Sequence, residues 1–79
     1  MIISILEVIE AEGRKARPTH ILYKANLSHK LMMRYLAELE DRGVISIDKD
    51  DKNIILTDKG KEFLVELRKM RRFMESFGL

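Results

Sequence analysis

Six cations, Arg14, Lys15, Arg17, Lys24, Lys30 and Arg34, stand in a 25-residue stretch, 13–37, that contains no Asp or Glu. Guanidinium and ammonium groups gathered without counter-charges bind polyanions, and nucleic-acid phosphate is the leading example. Nine of the fifteen cations and all thirteen acids lie elsewhere. The stretch is therefore +6 and the remainder −4, within a chain of net charge +2. Catalytic and metal chemistry have little to work with. Cysteine is absent, and His20 and His29 fall on different elements without a zinc-type spacing. No glycine-rich phosphate loop and no nucleophile–base pair is recognisable. The sequence predicts no enzyme, no cofactor, no metal and no small-molecule ligand.

The elements that position these cations follow from periodicity. Ile2, Ile5, Leu6 and Ile9 recur at the helical spacing, with Ile3 and Val8 widening the apolar face, and Gly13 ends the helix. Pro18 suits the first turn of a short second helix, where its missing N–H costs nothing. Ile21, Leu22 and Ala25 face inward there. Asn26 tolerates a left-handed turn, and Leu27 plugs the core. Ser28 is a good N-cap for a third helix running to about Arg42, with Met32, Tyr35, Leu36 and Leu39 as its buried stripe and Gly43 as its stop. Residues 44–48 and 53–56 are β-type runs that form a hairpin around the polar tip 49–52. Thr57 caps a last helix, with Asp58 at its positive end. That helix continues to about Phe77, roughly 30 Å.

The order is helix, helix, turn, helix, hairpin, long helix. The short Pro-initiated helix, Asn26-Leu27-Ser28, a helix carrying Tyr35-Leu36 and Leu39, Gly43-Val44-Ile45, and Leu56-Thr57-Asp58-Lys59-Gly60 together resemble a winged helix-turn-helix. More narrowly, the chain is similar to archaeal winged-helix DNA-binding proteins of about ten kilodaltons. Those dimerise through a C-terminal coiled-coil helix. The similarity covers nearly the whole chain, and residues 18–28 are its most family-like part. The expected fold is α+β, mostly α. It comprises a winged helix-turn-helix domain (1–57) of three helices and a two-stranded wing, with a C-terminal helix (58–79) packed on it and extending from it. The resemblance implies a DNA-binding transcriptional regulator or chromatin protein, cytoplasmic and nucleoid-associated.

With the apolar stripe of the third helix facing the core, the 3.6-residue period turns His29, Lys30, Met33, Arg34 and Ala37 outward. Such a helix fits the ~12 Å major groove of double-stranded DNA. Lys30 and Arg34 could reach guanine O6/N7 there, and Met33 a thymine methyl. Ser28 and His29 sit at the N-terminal end, the part of a recognition helix that approaches base edges. The plainer reading of Lys30 and Arg34 is a solvated helix face. The missing acids and the helix-turn-helix order weigh against it. Arg14, Lys15, Arg17 and Thr19 are assigned to phosphate positioning, and Lys24 and Tyr23 to peripheral phosphate contacts, with packing on the domain an equal alternative for Tyr23. Lys49 and Lys52 are weaker candidates, because Asp50 and Asp51 lie between them and make the wing tip nearly neutral.

In the last helix Gly60, Phe63, Leu67, Met70, Met74 and Phe77 are spaced 3, 4, 3, 4, 3, a coiled-coil seam. A 79-residue chain without disulfides is close to marginal as a monomer, and an exposed Met/Phe stripe calls for a second chain. The expected partners are double-stranded DNA and a second copy, the dimer interface being Phe63, Leu67, Met70, Met74 and Phe77. Glu66 and Arg71 would attract across a parallel pair, whereas the resemblance implies an antiparallel one. Arg68, Lys69, Arg71 and Arg72 also make this helix basic, which suits a membrane surface, but regular seam spacing favours the coiled coil. No apolar run approaches the ~20 residues of a membrane span. The rival function is a winged-helix protein-interaction module that binds an acidic partner. RNA binding is weakened by the lack of an aromatic stacking platform.

Overall fold

A computed structural model describes residues 2–78. The elements are α1 (Ile2–Ala11), β1 (Lys15–Ala16), α2 (Pro18–Lys24), α3 (His29–Asp41), β2 (Ile45–Ile47), β3 (Ile54–Leu56) and α4 (Asp58–Ser76). The three strands form one antiparallel sheet in the order β1-β3-β2. The core gathers Ile5, Leu6 and Ile9 of α1, Ile21 of α2, Met32, Leu36 and Leu39 of α3, Ile45, Ile54 and Leu56 of the sheet, and Leu64 of α4.

The helices begin and end where local chemistry dictates. Pro18 occupies the first turn of α2. Asn26 takes the left-handed conformation (φ 54°), and the neighbouring Ala25 and Leu27 are buried. That turn fixes α2 relative to α3. Ser28 Oγ accepts the Leu31 N–H at 3.2 Å and caps α3, and Gly43 at φ 77° stops it. Of the inward residues expected in α3, Met32, Leu36 and Leu39 are fully buried and Tyr35 partly so.

One expectation needs correcting. The sheet has three strands, not only the two expected of the wing, because the segment before α2 pairs with β3, with Lys15 opposite Ile55 and Ala16 opposite Ile54. Gly13 and Arg14, both at positive φ, swing the chain back along β3, and Ala16 enters the core. Two residues carry no readable alternation, so periodicity has no purchase on such a strand.

The junction into α4 explains the Leu-Thr-x-Lys-Gly run. Thr57 Oγ1 accepts the Gly60 N–H at 3.0 Å as the helix cap. The same hydroxyl lies 2.6 Å from the Gly43 carbonyl oxygen and 2.9 Å from that of Val44, both placed to accept its proton. Gly60 is buried, and a Cβ there would collide with the Val44 carbonyl oxygen and meet Leu56 Cδ1 at 2.7 Å. Gly60 is thus a packing position inside the domain, although it fits the seam spacing. Leu64 completes this inward face, and Arg68 closes it by binding Glu7 at 3.2 Å and Glu10 at 2.8 Å across α1. Residues 69–78 are all exposed, so the end of α4 projects and the molecule measures 44 × 26 × 21 Å.

Gly60→Ala should therefore destabilise the fold by about 1–3 kcal/mol, because backbone must move to admit the methyl. The helix-propensity gain of about 1 kcal/mol only partly offsets this. Urea unfolding measures it, and an unchanged or raised midpoint would contradict the packing described.

Candidate nucleic-acid interface

With Met32, Leu36 and Leu39 turned into the core, α3 presents Lys30, Arg34 and Ala37 on its opposite face. Met33, half-exposed, lies on the flank, and His29 occupies the first turn. All five expected outward residues are exposed, and neither Lys30 nor Arg34 has an ion-pair partner among the described residues. The candidate residue Ser28 is exposed too. Its oxygen is engaged as the helix cap, which leaves the hydroxyl proton free to donate.

The charges along α3 are ordered. His29, Lys30 and Arg34 occupy the N-terminal half, and Glu38, Glu40 and Asp41 the C-terminal half. The first turn has no acid and the last turn no base. Arg42, the C-cap, is paired with Glu38 at 3.4 Å. A helix carries partial positive charge at its N-terminus and partial negative charge at its C-terminus. α3 places its charged groups against that dipole at both ends. Each such placement within the first or last turn costs roughly 0.3–1 kcal/mol at the surface, and at the N-terminal end a nearby anion would offset it.

Arg17, just before Pro18, is exposed and forms no ion pair among the described residues. Its carbonyl accepts the Ile21 N–H that opens α2. Thr19 and Tyr23, four residues apart on α2, face solvent, and Tyr23 is 80% exposed. Lys24, Lys49 and Lys52 are exposed as well. Lys52 sits in the wing tip at φ 62°.

Arg14 and Lys15 are differently placed. The Arg14 guanidinium donates to the Leu56 carbonyl at 3.3 and 3.1 Å and to Asp58 at 2.8 Å. It ties the end of β3 to the first turn of α4. Lys15 Nζ lies 2.7 Å from Asp51 and 3.2 Å from Asp48. Two of the six cations in the acid-free stretch thus have carboxylate partners from distant parts of the chain. These partners are 33 to 44 residues away, a separation at which one sequence gives no pairing signal.

The outer face of α4 carries the other large apolar surface. Phe63, Met70, Met74 and Phe77 are exposed, and Leu67 is partly covered by the core. Phe73, which the seam spacing leaves out, is also exposed and packs its ring against Phe77, with centroids 4.9 Å apart. No helix among the described residues is long and apolar enough to cross a membrane.

Lys30→Glu reverses one of the opposed charges. It should stabilise the isolated protein by about 0.3–1 kcal/mol, read as a rise in the thermal midpoint at low salt that fades with added salt. A fall in the midpoint would contradict the opposed-dipole account.

Known proteins share this architecture. The winged helix-turn-helix family profile matches residues 1–75. No curated protein matches in sequence. A MarR family transcriptional regulator from Silicibacter pomeroyi superposes with a TM-score of 0.74 at 21% identity, over 95% of this chain and 53% of that one. A MarR family protein from Bacillus stearothermophilus gives 0.73 at 20% identity, over 96% and 59%. The chain thus spans little more than half the length of either. Sso10a-2, a DNA-binding protein from Sulfolobus solfataricus, gives 0.67 at 23% identity, over 99% of this chain and 87% of that one. At these identities the structural matches speak for the fold, and the profile match assigns the family. The chain belongs to the winged helix-turn-helix family.

Proposed function

We propose that this protein binds double-stranded DNA as a homodimer and serves as a transcriptional regulator or chromatin-associated protein. The observation that carries this reading is the charge order of α3. Lys30 stands exposed in the first turn, where the helix dipole disfavours cations, and Arg34 is exposed one turn farther on, with every acid of the helix beyond it. A phosphate backbone in front of the N-terminal half turns an unfavourable arrangement into a favourable one. In the major groove, Lys30 and Arg34 would reach base edges, with Met33 beside them for a thymine methyl and His29 and the Ser28 hydroxyl at the leading end. Glu38, Glu40 and Asp41 confine contact to the first half of the helix.

Arg17 and Thr19 take the phosphate-positioning role, with Lys49 and Lys52 of the wing as further backbone contacts. Arg14 and Lys15 are given internal duties instead, because each already holds a carboxylate. Sso10a-2, a DNA-binding protein that this chain parallels over most of both lengths, supports the reading.

The second copy is proposed to pair through α4, covering Phe63, Leu67, Met70, Met74 and Phe77. The support is the exposure of those residues beyond the domain, a patch that a soluble monomer rarely leaves uncovered. Two-fold pairing would present two α3 helices to DNA and favour spaced or palindromic half-sites.

Fluorescence titration of matched specific and random duplexes at several salt concentrations tests the DNA reading. Arg34→Ala should cost about 1–3 kcal/mol and relax sequence preference, whereas Arg17→Ala should weaken all sequences alike and lower the salt slope by about 1. If neither variant changes affinity, the interface is wrong. If the wild type fails to bind at low salt, an acidic protein partner becomes the better reading. Sedimentation at micromolar concentration tests the pairing. The wild type should run as a dimer and Leu67→Glu/Met74→Glu as a monomer, and a monomeric wild type would overturn it.

A further inference from the structure

The wing tip poses a problem for a DNA-binding surface. Residues 48–53 hold three acids, Asp48, Asp50 and Asp51, against Lys49 and Lys52. Alone the tip is −1 and would repel phosphate. Lys15 changes that balance. Lys15, Ile55 and Ser46 form one cross-strand row on the sheet, and Ala16, Ile54 and Ile47 the next. Because Ala16 and Ile54 are buried, the row carrying Lys15 is the outward one. From there its ammonium reaches Asp51 Oδ2 and Asp48 Oδ2.

The other carboxylate oxygens of Asp48 and Asp51 are engaged within the tip. Asp48 Oδ1 accepts the Asp50 N–H at 2.8 Å and the Asp51 N–H at 3.4 Å. Asp51 Oδ1 accepts the Asn53 N–H at 2.9 Å. The Asp48 N–H donates to the Asn53 carbonyl, and the Lys52 N–H to the Asp48 carbonyl. The N–H and Lys15 bonds to the carboxylate oxygens depress the carboxyl pKa of both acids. For Asp48 the Asp50 N–H is the larger cause, and for Asp51 it is Lys15. The Lys15 ammonium is raised correspondingly, chiefly by Asp51.

Resting on the DNA-binding reading above, we propose that Lys15 is a positioning residue rather than a phosphate contact. By pairing with Asp48 and Asp51 it acts as a latch that draws both carboxylates toward β1, brings the tip from −1 to neutral, and leaves Lys49 and Lys52 as the cations the wing offers to DNA.

A double-mutant cycle separates this role from direct contact. Anisotropy with one mixed-sequence duplex is measured for wild type, Lys15→Met, Asp48→Asn/Asp51→Asn, and the triple variant. The latch predicts coupling. Replacing the two acids should raise affinity by a factor at least about fivefold smaller when Lys15 is present than when Lys15 is Met. A direct phosphate contact predicts equal gains in both backgrounds, with the Lys15→Met salt slope reduced by about 1, and that result overturns the proposal. The free protein gives a second reading by carbon-detected titration. In Lys15→Met the Asp51 carboxyl should titrate closer to the ordinary range of about 3.9, and an unmoved Asp51 refutes the latch. A wild type that binds no duplex defeats the DNA reading, and the titration then decides the latch alone.

Discussion

The contact between Gly60 and the Val44 carbonyl, held by the Thr57 hydroxyl, is the constraint on which the rest of the architecture depends. Val44 follows the end of α3 and leads into β2, while Thr57 follows β3 and opens α4. One short junction therefore registers the third helix, both wing strands and the long helix against one another. Arg14 reinforces it from β1 by binding the Leu56 carbonyl and Asp58. The backbone approach leaves no room for a side chain at position 60. The direction in which α4 leaves the domain is set there, and the Arg68 pairs with Glu7 and Glu10 hold it against α1 farther along.

Electrostatics divides the same frame into working and structural charges. Cations near a helix N-terminus, and acids near its C-terminus, oppose the macrodipole, and α3 has both. A fold optimised for stability alone would reverse them. Arg14 and Lys15, by contrast, each hold carboxylate partners. Sequence proximity groups all of these residues into one basic stretch. Three-dimensional pairing separates them into cations that hold the fold and cations left open to an anion.

The legible parts of the sequence were those governed by local rules. Ser28, Thr57, Pro18 and Gly43 mark helix ends through single-residue chemistry, and the stripe of Met32, Leu36 and Leu39 follows from the helical period. The order of elements carried the family resemblance, which the profile match bears out at the level of the winged helix-turn-helix. Illegible were the features made by long-range contact. β1 is too short to show alternation, and its pairing with β3 joins residues about 40 positions apart. The partners of Lys15 and Arg14 follow from that pairing and have no signature of their own. Gly60 fitted the heptad arithmetic of α4, and only the neighbouring Val44 carbonyl shows it to be a packing position inside the domain. Phe73 lies outside that arithmetic yet joins the exposed aromatic surface.

Amide chemical-shift mapping with a mixed-sequence DNA duplex tests the central claim most directly, because it reports every backbone position except prolines at once. The account predicts the largest perturbations at 28–34, at Arg17 and Thr19, and at Lys49 and Lys52, with 38–42 near the noise. Perturbations centred on 38–42 or on the outer face of α4, or none at low salt, would contradict it.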